Sequence, residues 1–162
     1  MKPVALAGLL AALLAASPAA AQNAGQIQKA RGGASCPGCN LFQADFGSAQ
    51  LSGRSFAGAR LRQADMSAAV MTRTNFAGAD LRDVEAYGAV FTGANFAHAN
   101  LTNASFVGTF LHGANFAGAN LDGLNLSGAE LGRAIGLTQA QLAHACGDET
   151  TELPRGLRVK SC

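Results

Sequence analysis

Along the middle of the chain a large apolar residue returns at every fifth position. Phe91, Phe96, Leu101, Phe106, Leu111 and Phe116 mark the clearest run, and the spacing holds from Leu41 to Leu131. Of those nineteen positions nine are Leu, seven Phe and two Met, so only Ala86 lacks bulk. Two residues before each centre sits a small one, Ala in thirteen of the nineteen cases. A period of five fits neither the 3.6-residue turn of a helix nor the two-residue alternation of a strand. A fixed short repeat predicts a solenoid, in which each unit buries its apolar side only by stacking on its neighbours.

The units 94–98 (ANFAH), 99–103 (ANLTN), 114–118 (ANFAG) and 119–123 (ANLDG) share one order: Ala, Asn, a large apolar residue, then two variable ones. On these residues the chain resembles the pentapeptide repeat family, whose motif is A(N/D)LXX, from Ala34 to Arg133. The resemblance implies an all-β fold, a right-handed quadrilateral parallel β-helix. Four pentapeptides make one coil, with the centre and the small residue both pointing inward.

The sequence checks the coil length independently. If a coil holds twenty residues, Leu41, Leu61, Leu81, Leu101 and Leu121 stack in one column, and Phe56, Phe76, Phe96 and Phe116 in another. The third column reads Leu51, Met71, Phe91, Leu111, Leu131, and the fourth Phe46, Met66, Ala86, Phe106, Leu126. Two columns of identical residues support a twenty-residue turn. With strands about 4.8 Å apart the rod is roughly 23 Å long. In 84–88 (VEAYG) Val84 takes the small slot and Ala86 the centre, a swap that conserves volume. Arg54 falls in an inward slot of the first coil; a buried unpaired guanidinium is costly, so it is expected to bend outward.

The ends read differently. Residues 1–21 carry the marks of a secretory signal: Lys2, an apolar run from Val4 to Ala16, and the small residues Ala19, Ala20 and Ala21 before a mature start at Gln22. The apolar run is shorter than the ~20 residues a membrane span needs, so no membrane contact is expected after cleavage. Residues 22–35 are polar and Gly-rich and read as a flexible lead-in, with room for a helical turn around Ile27. The repeat occupies 36–133. Beyond it lies a C-terminal cap, 134–162, with a helix over 138–146 and an extended tail. Thr138 and Gln141 form a capping box, Leu137 and Leu142 a hydrophobic staple, and Gly147 the stop. Ile135, Leu137 and Leu142 are expected to cover the open core.

Charge adds little. Without Lys2 the chain keeps eleven basic and ten acidic residues, which gives no electrostatic reason to expect nucleic acid or an acidic partner. Four cysteines in an exported chain predict disulfides. Of three possible pairings we favour Cys36–Cys39 and Cys146–Cys162, because each pair brackets one end of the rod. The alternative for Cys36 and Cys39 is a thiol/disulfide redox pair, which needs a βαβ context that is absent. His98, His112 and His144 occupy outward positions without ligand spacing, and Asp80, Asp83, Asp122 and Glu130 scatter over the surface, so we expect no metal, no cofactor and no enzymatic activity. The sequons at Asn100, Asn103 and Asn125 follow from the repeat's own Asn and Ser/Thr preferences.

One outward column stands apart. The slot before the third-column centre is usually polar, yet here it reads Gln50, Val70, Val90, Phe110, Glu130. With Tyr87 and Val107 at the adjoining corner, Val70, Val90 and Phe110 make a candidate patch for a protein partner or self-association, although β-branched residues also suit outward strand positions. The sequence therefore points to a non-catalytic exported scaffold. The other readings are an exported redox protein using Cys36 and Cys39, and a DNA-mimicking topoisomerase protector, which the family resemblance suggests but which the missing acidity and the export signal oppose.

Overall fold

The computed structural model describes residues 18–162. The signal-like segment 1–21 lies outside them apart from its last residues. The order is helix α1 (Pro18–Arg31), a stack of coils, helix α2 (Gln139–Leu142), and two short strands, β1 (Cys146–Gly147) and β2 (Lys160–Ser161).

The coils close at twenty residues. Parallel bridges join Asn40 to Arg60, Arg60 to Asp80, Asp80 to Asn100 and Asn100 to Asn120, and the other three faces repeat the interval. Each wall segment is a single bridged residue between two turns, which is why long strands are absent. The unit 95–99 shows how the backbone is satisfied. Asn95 N–H donates to Thr74 O (2.9 Å), Phe96 N–H to Asn115 O (2.8 Å), His98 N–H to Ala117 O (2.8 Å) and Ala99 N–H to Phe96 O (3.0 Å). The fifth amide, Ala97 N–H, donates to the Asn95 side chain at 3.1 Å. All five donors find partners, as a buried wall requires. Where Asn or Asp precedes a centre, as at Asp65, Asn75 and Asn115, its side chain likewise accepts the one amide that the coil-to-coil ladder leaves over.

The turn residue two after each centre from Leu41 to Leu126 adopts the left-handed conformation. Ten glycines meet this demand from Gly53 to Gly128, while Gln43, Ser48, Gln63, Ala68, Arg73, Asp83, His98 and Asn103 adopt it at φ between 55° and 59°. A side chain there costs roughly 1–2 kcal/mol, which accounts for the frequency of Gly in the slot.

The core holds the centres and the small residues. All nineteen centres are buried, including Ala86, with Val84 buried beside it. The Phe column stacks: Phe76 and Phe96 have centroids 5.2 Å apart at 4°, Phe96 and Phe116 5.2 Å at 17°. Phe106, one coil on from Ala86 in the same column, stacks on Phe91 at 5.3 Å and 16°. Thr74 and Thr109 are buried, and their hydroxyls donate to Leu51 O (2.9 Å) and Phe106 O (2.8 Å). Arg54, in an inward slot by register, is exposed.

The ends differ from expectation. The lead-in expected to be flexible forms α1, although its low mean hydropathy and its glycines gave no helical signal. Contacts with the first coil order it. Ala30 is fully buried, Ile27 packs on the core, and Gln26 Oε1 accepts from Asn40 N–H at 2.6 Å. That amide would otherwise face a preceding coil. Ser35 Oγ plays the same part for Ser55 N–H at 3.0 Å.

At the other end α2 is one turn, not the nine residues expected. The Thr138–Gln141 capping box is present, but after Leu142 the chain turns back into the wall. Cys146 N–H donates to Leu124 O (2.9 Å) and Leu126 N–H to Cys146 O (2.8 Å). Ladder bonding to a preformed edge outweighs extension of an isolated short helix. Coil bridging accordingly runs past residue 133: Ile135 pairs with Asn115, Cys146 with Asn125 and Glu152 with Glu130. Ile135 therefore points outward, 57% exposed, rather than covering the core; Leu142, fully buried, does that with Ala145. Strand β2 then lies parallel on β1, Lys160 opposite Cys146, so the extended tail supplies one further rung.

Candidate functional site

The disulfides close the two ends. Cys36 bonds to Cys39 and Cys146 to Cys162. Cys36 is 2% exposed and sits in the core, a poor position for exchange with an external thiol.

The histidines and acids do not converge. His112 Nε2 lies 3.4 Å from Glu130, and His144 Nδ1 lies 3.7 Å from Asp122. Arg82 holds Asp80 at 2.7 Å and Arg62 holds Asp83 at 3.1 Å. The Arg82 hydrogen bonds lower the Asp80 pKa. Asp45 is lowered by the Gly47 amide and by Arg31, and Asp148 by the Thr150 hydroxyl together with the Gly128 and Thr150 amides. These are turn and surface contacts that favour ionised carboxylates. Among the described residues no group of three His, Cys, Asp or Glu is placed to hold a metal ion, and no helix is long and apolar enough to cross a membrane.

The outward apolar residues do come together. Val70 bridges Val90, and Val90 bridges Phe110, so the three occupy successive rungs of one face. Phe110 is 42% exposed and Tyr87 66%; Val70, Val90 and Val107 are half-buried. Gly88 N–H donates to Val107 O at 2.9 Å, which sets Val107 above Tyr87 at the corner beside the column. The wall beneath is bonded on both sides, so the patch is presented by backbone that cannot itself add a strand.

Sequence reasoning missed what borders this patch. Around the corner Asp45, Asp65 and Glu85 bridge in register, a column visible only when the slots before the fourth-column centres are read at intervals of twenty. It also missed the concavity on the opposite face, lined by Asn40, Phe42, Arg60, Arg62, Asp80 and Arg82.

A family model described as pentapeptide repeats matches residues 49–93 and 94–133 in eight copies, more than half of the chain. No curated protein matches the sequence. Among solved structures, a pentapeptide repeat protein of the Arabidopsis thaliana thylakoid lumen is 29% identical, over 63% of this chain and 81% of its own, with a TM-score of 0.36. A pentapeptide repeat protein from Nostoc is 24% identical over 83% and 87%, with a TM-score of 0.47. QnrB1, a plasmid-mediated fluoroquinolone resistance protein, is 21% identical over 74% and 76%, with a TM-score of 0.37.

Proposed function

The chain belongs to the pentapeptide repeat family, and on that basis we propose that it is an exported, non-catalytic scaffold that presents one face of a right-handed tube to a protein partner. The family supplies the repeat scaffold and the expectation of right-handed winding. The signal-like residues 1–21 support export to the periplasm or beyond. The observation that carries the partner-binding reading is the outward column Val70, Val90 and Phe110, three apolar rungs in succession, where the corresponding column of the next face reads Ser55, Asn75, Asn95, Asn115 and is apolar only at its last rung, Ile135. A contiguous exposed apolar strip, unlike the single apolar residues Phe42 and Ile135 elsewhere on the wall, marks a contact surface.

The test is capture of partners from the exported fraction by the native protein and by the Val90→Thr/Phe110→Thr variant. The reading expects loss of the captured partner with the fold unchanged; equal capture by both proteins overturns it. N-terminal sequencing of the exported protein checks processing, with Gln22 as the expected first residue. The burial of Cys36 gives the redox alternative no support, and the near-balanced charge gives none to DNA mimicry.

A further inference from the structure

Resting on the reading of Val70, Val90 and Phe110 as a docking strip, the charges around it say what the strip takes. Asp65 and Glu85 bridge each other on the adjoining face, both exposed, and among the described residues neither has an ion-pair partner. Beyond Phe110 the strip's own column ends in a second bridged pair, Glu130 and Glu152. Like charges directly opposite on neighbouring strands repel, so Asp65 and Glu85 form an unfavourable pair in the free protein, while Glu130 has His112 Nε2 at 3.4 Å and Glu152 beside it has no ion-pair partner among the described residues. The arginines Arg60, Arg62 and Arg82 lie on the opposite face. On that side Arg82 is paired with Asp80 and Arg62 with Asp83, whereas Asp65 and Glu85 beside the strip stay unpaired among the described residues; the strip's other corner carries Arg73, next to Gly93.

Three rungs about 4.8 Å apart give the strip a length of roughly 10 Å. Two turns of α-helix, from residue i to i+7, rise about 10.5 Å. We propose that the strip docks a helical segment of another protein, its apolar ridge two turns long and flanked by lysine or arginine. The ridge covers Val70, Val90 and Phe110 while the cations neutralise Asp65, Glu85 and Glu152. Complementary rims steer and select such partners. The same carboxylates disfavour an anionic bilayer. Among the described residues a second copy of the chain offers no matching helix: in α1 Ile27 and Ala30 are turned onto the first coil, and α2 is four residues long.

The test uses the intact oxidised protein and a fluorescent helical peptide carrying a leucine ridge flanked by lysines, with a glutamate-flanked peptide as control. Anisotropy is expected to show binding of the lysine peptide only, weakening as salt is raised. Val90→Thr/Phe110→Thr should weaken it about tenfold or more, and Asp65→Asn/Glu85→Gln, which relieves a repulsion and keeps the fold, about three- to tenfold. No binding of the lysine peptide, or equal binding of the glutamate peptide, overturns the inference. If the carboxylate variant binds normally while the apolar variant loses both peptide and captured partner, the cationic ridge is wrong and the docking strip stands. If neither pair of substitutions matters, both fall. A dimeric mass, or binding to phosphatidylglycerol vesicles, that is lost on Val90→Thr/Phe110→Thr reassigns the strip to a second copy or a membrane and overturns the inference.

Discussion

Asn95 stands on Asn75 one coil away: its Nδ2 donates to Asn75 Oδ1 across 3.2 Å, while its own Oδ1 accepts from Asn115 Nδ2 at 3.3 Å and from Ala97 N–H at 3.1 Å. One carboxamide therefore closes a turn within its coil and links three coils along the wall. Asn95→Ala removes all three bonds and should lower stability by about 1–2 kcal/mol. Asn95→Asp keeps the turn acceptor, as Asp65 does for Ser67 N–H, but loses the donor to Asn75, and should cost about half as much. Denaturant midpoints at unchanged slope measure both.

The interior makes a larger demand. Phe96 lies between Phe76 and Phe116, with both centroids 5.2 Å away. Phe96→Ala opens a void in mid-stack and should destabilise by about 3–5 kcal/mol. Phe96→Leu, the residue the neighbouring columns use, should cost far less. Chemical denaturation of the two variants separates volume from the mere presence of an apolar side chain.

Turn geometry gives a reciprocal pair. Ala68 holds φ 55°, Gly53 φ 70°, and a Cβ on Gly53 would meet nothing within 4 Å. Gly53→Ala then adds the left-handed backbone cost of about 1–2 kcal/mol, offset in part by about 0.4–1 kcal/mol from the reduced freedom of the unfolded chain, and should be neutral to destabilising by about 1.5 kcal/mol. Ala68→Gly removes that cost and adds unfolded-chain freedom of about 0.4–1 kcal/mol, leaving it neutral to stabilising by about 1 kcal/mol. Thermal midpoints moving in opposite directions are the expected result.

The C-terminal staple spans 16 residues between Cys146 and Cys162. Replacing both with Ser should cost about 3 kcal/mol and loosen the last rungs first. Amide exchange should speed up at Leu126 and Leu131, which bond to Cys146 O and Glu152 O, while Phe96 keeps its protection. Protein purified without reductant should show no free thiol.

Acid should release the same end. Asp148 Oδ1 accepts from Gly128 N–H and Thr150 N–H, each at 3.0 Å or less, and from the Thr150 hydroxyl at 2.7 Å. These bonds lower its pKa from 3.8. A carboxylate depressed in the folded state contributes stability that is complete above its unfolded pKa and is lost as pH falls through the folded value. Stability should therefore hold above about pH 5 and decline below 3.8. Asp148→Asn should flatten that decline in melts taken from neutral to acid pH. Asp45 and Asp80, shifted the same way, leave a residual slope.

The wall was legible because its rule is local and strict. Centres are bulky with the exception of Ala86, most small slots hold Ala, and an Asn or Asp before the centre accepts one turn amide wherever it occurs, so five letters carry the geometry. The ends obey no such rule. The sequence of α1 contains Gly25 and little apolar periodicity; its order comes from Gln26 and Ala30 meeting the first coil, a partner no local pattern records. Thr138 and Gln141 announced a helix start, but its length was decided by Leu124 and Leu126, whose unpaired backbone groups drew Cys146 into the wall. The strip at Val70, Val90 and Phe110 was readable by column. Its acidic border was not, because Asp65 and Glu85 look like ordinary motif residues until the coil places one against the other.

Two glutamines cap ladder groups at the two ends of the regular repeat. Gln26 Oε1 takes the Asn40 amide at one end, and Gln141 Nε2 donates to the carbonyls of Phe116 and Ala119 at 2.9 Å at the other. Each side chain imitates the peptide group that one more turn would have brought, so growth is quenched by terminators and not by the repeating unit. Such a molecule is a ruler with stops. Its length is a count of modules, and a duplicated twenty-residue segment lengthens it by about 4.8 Å without altering either stop.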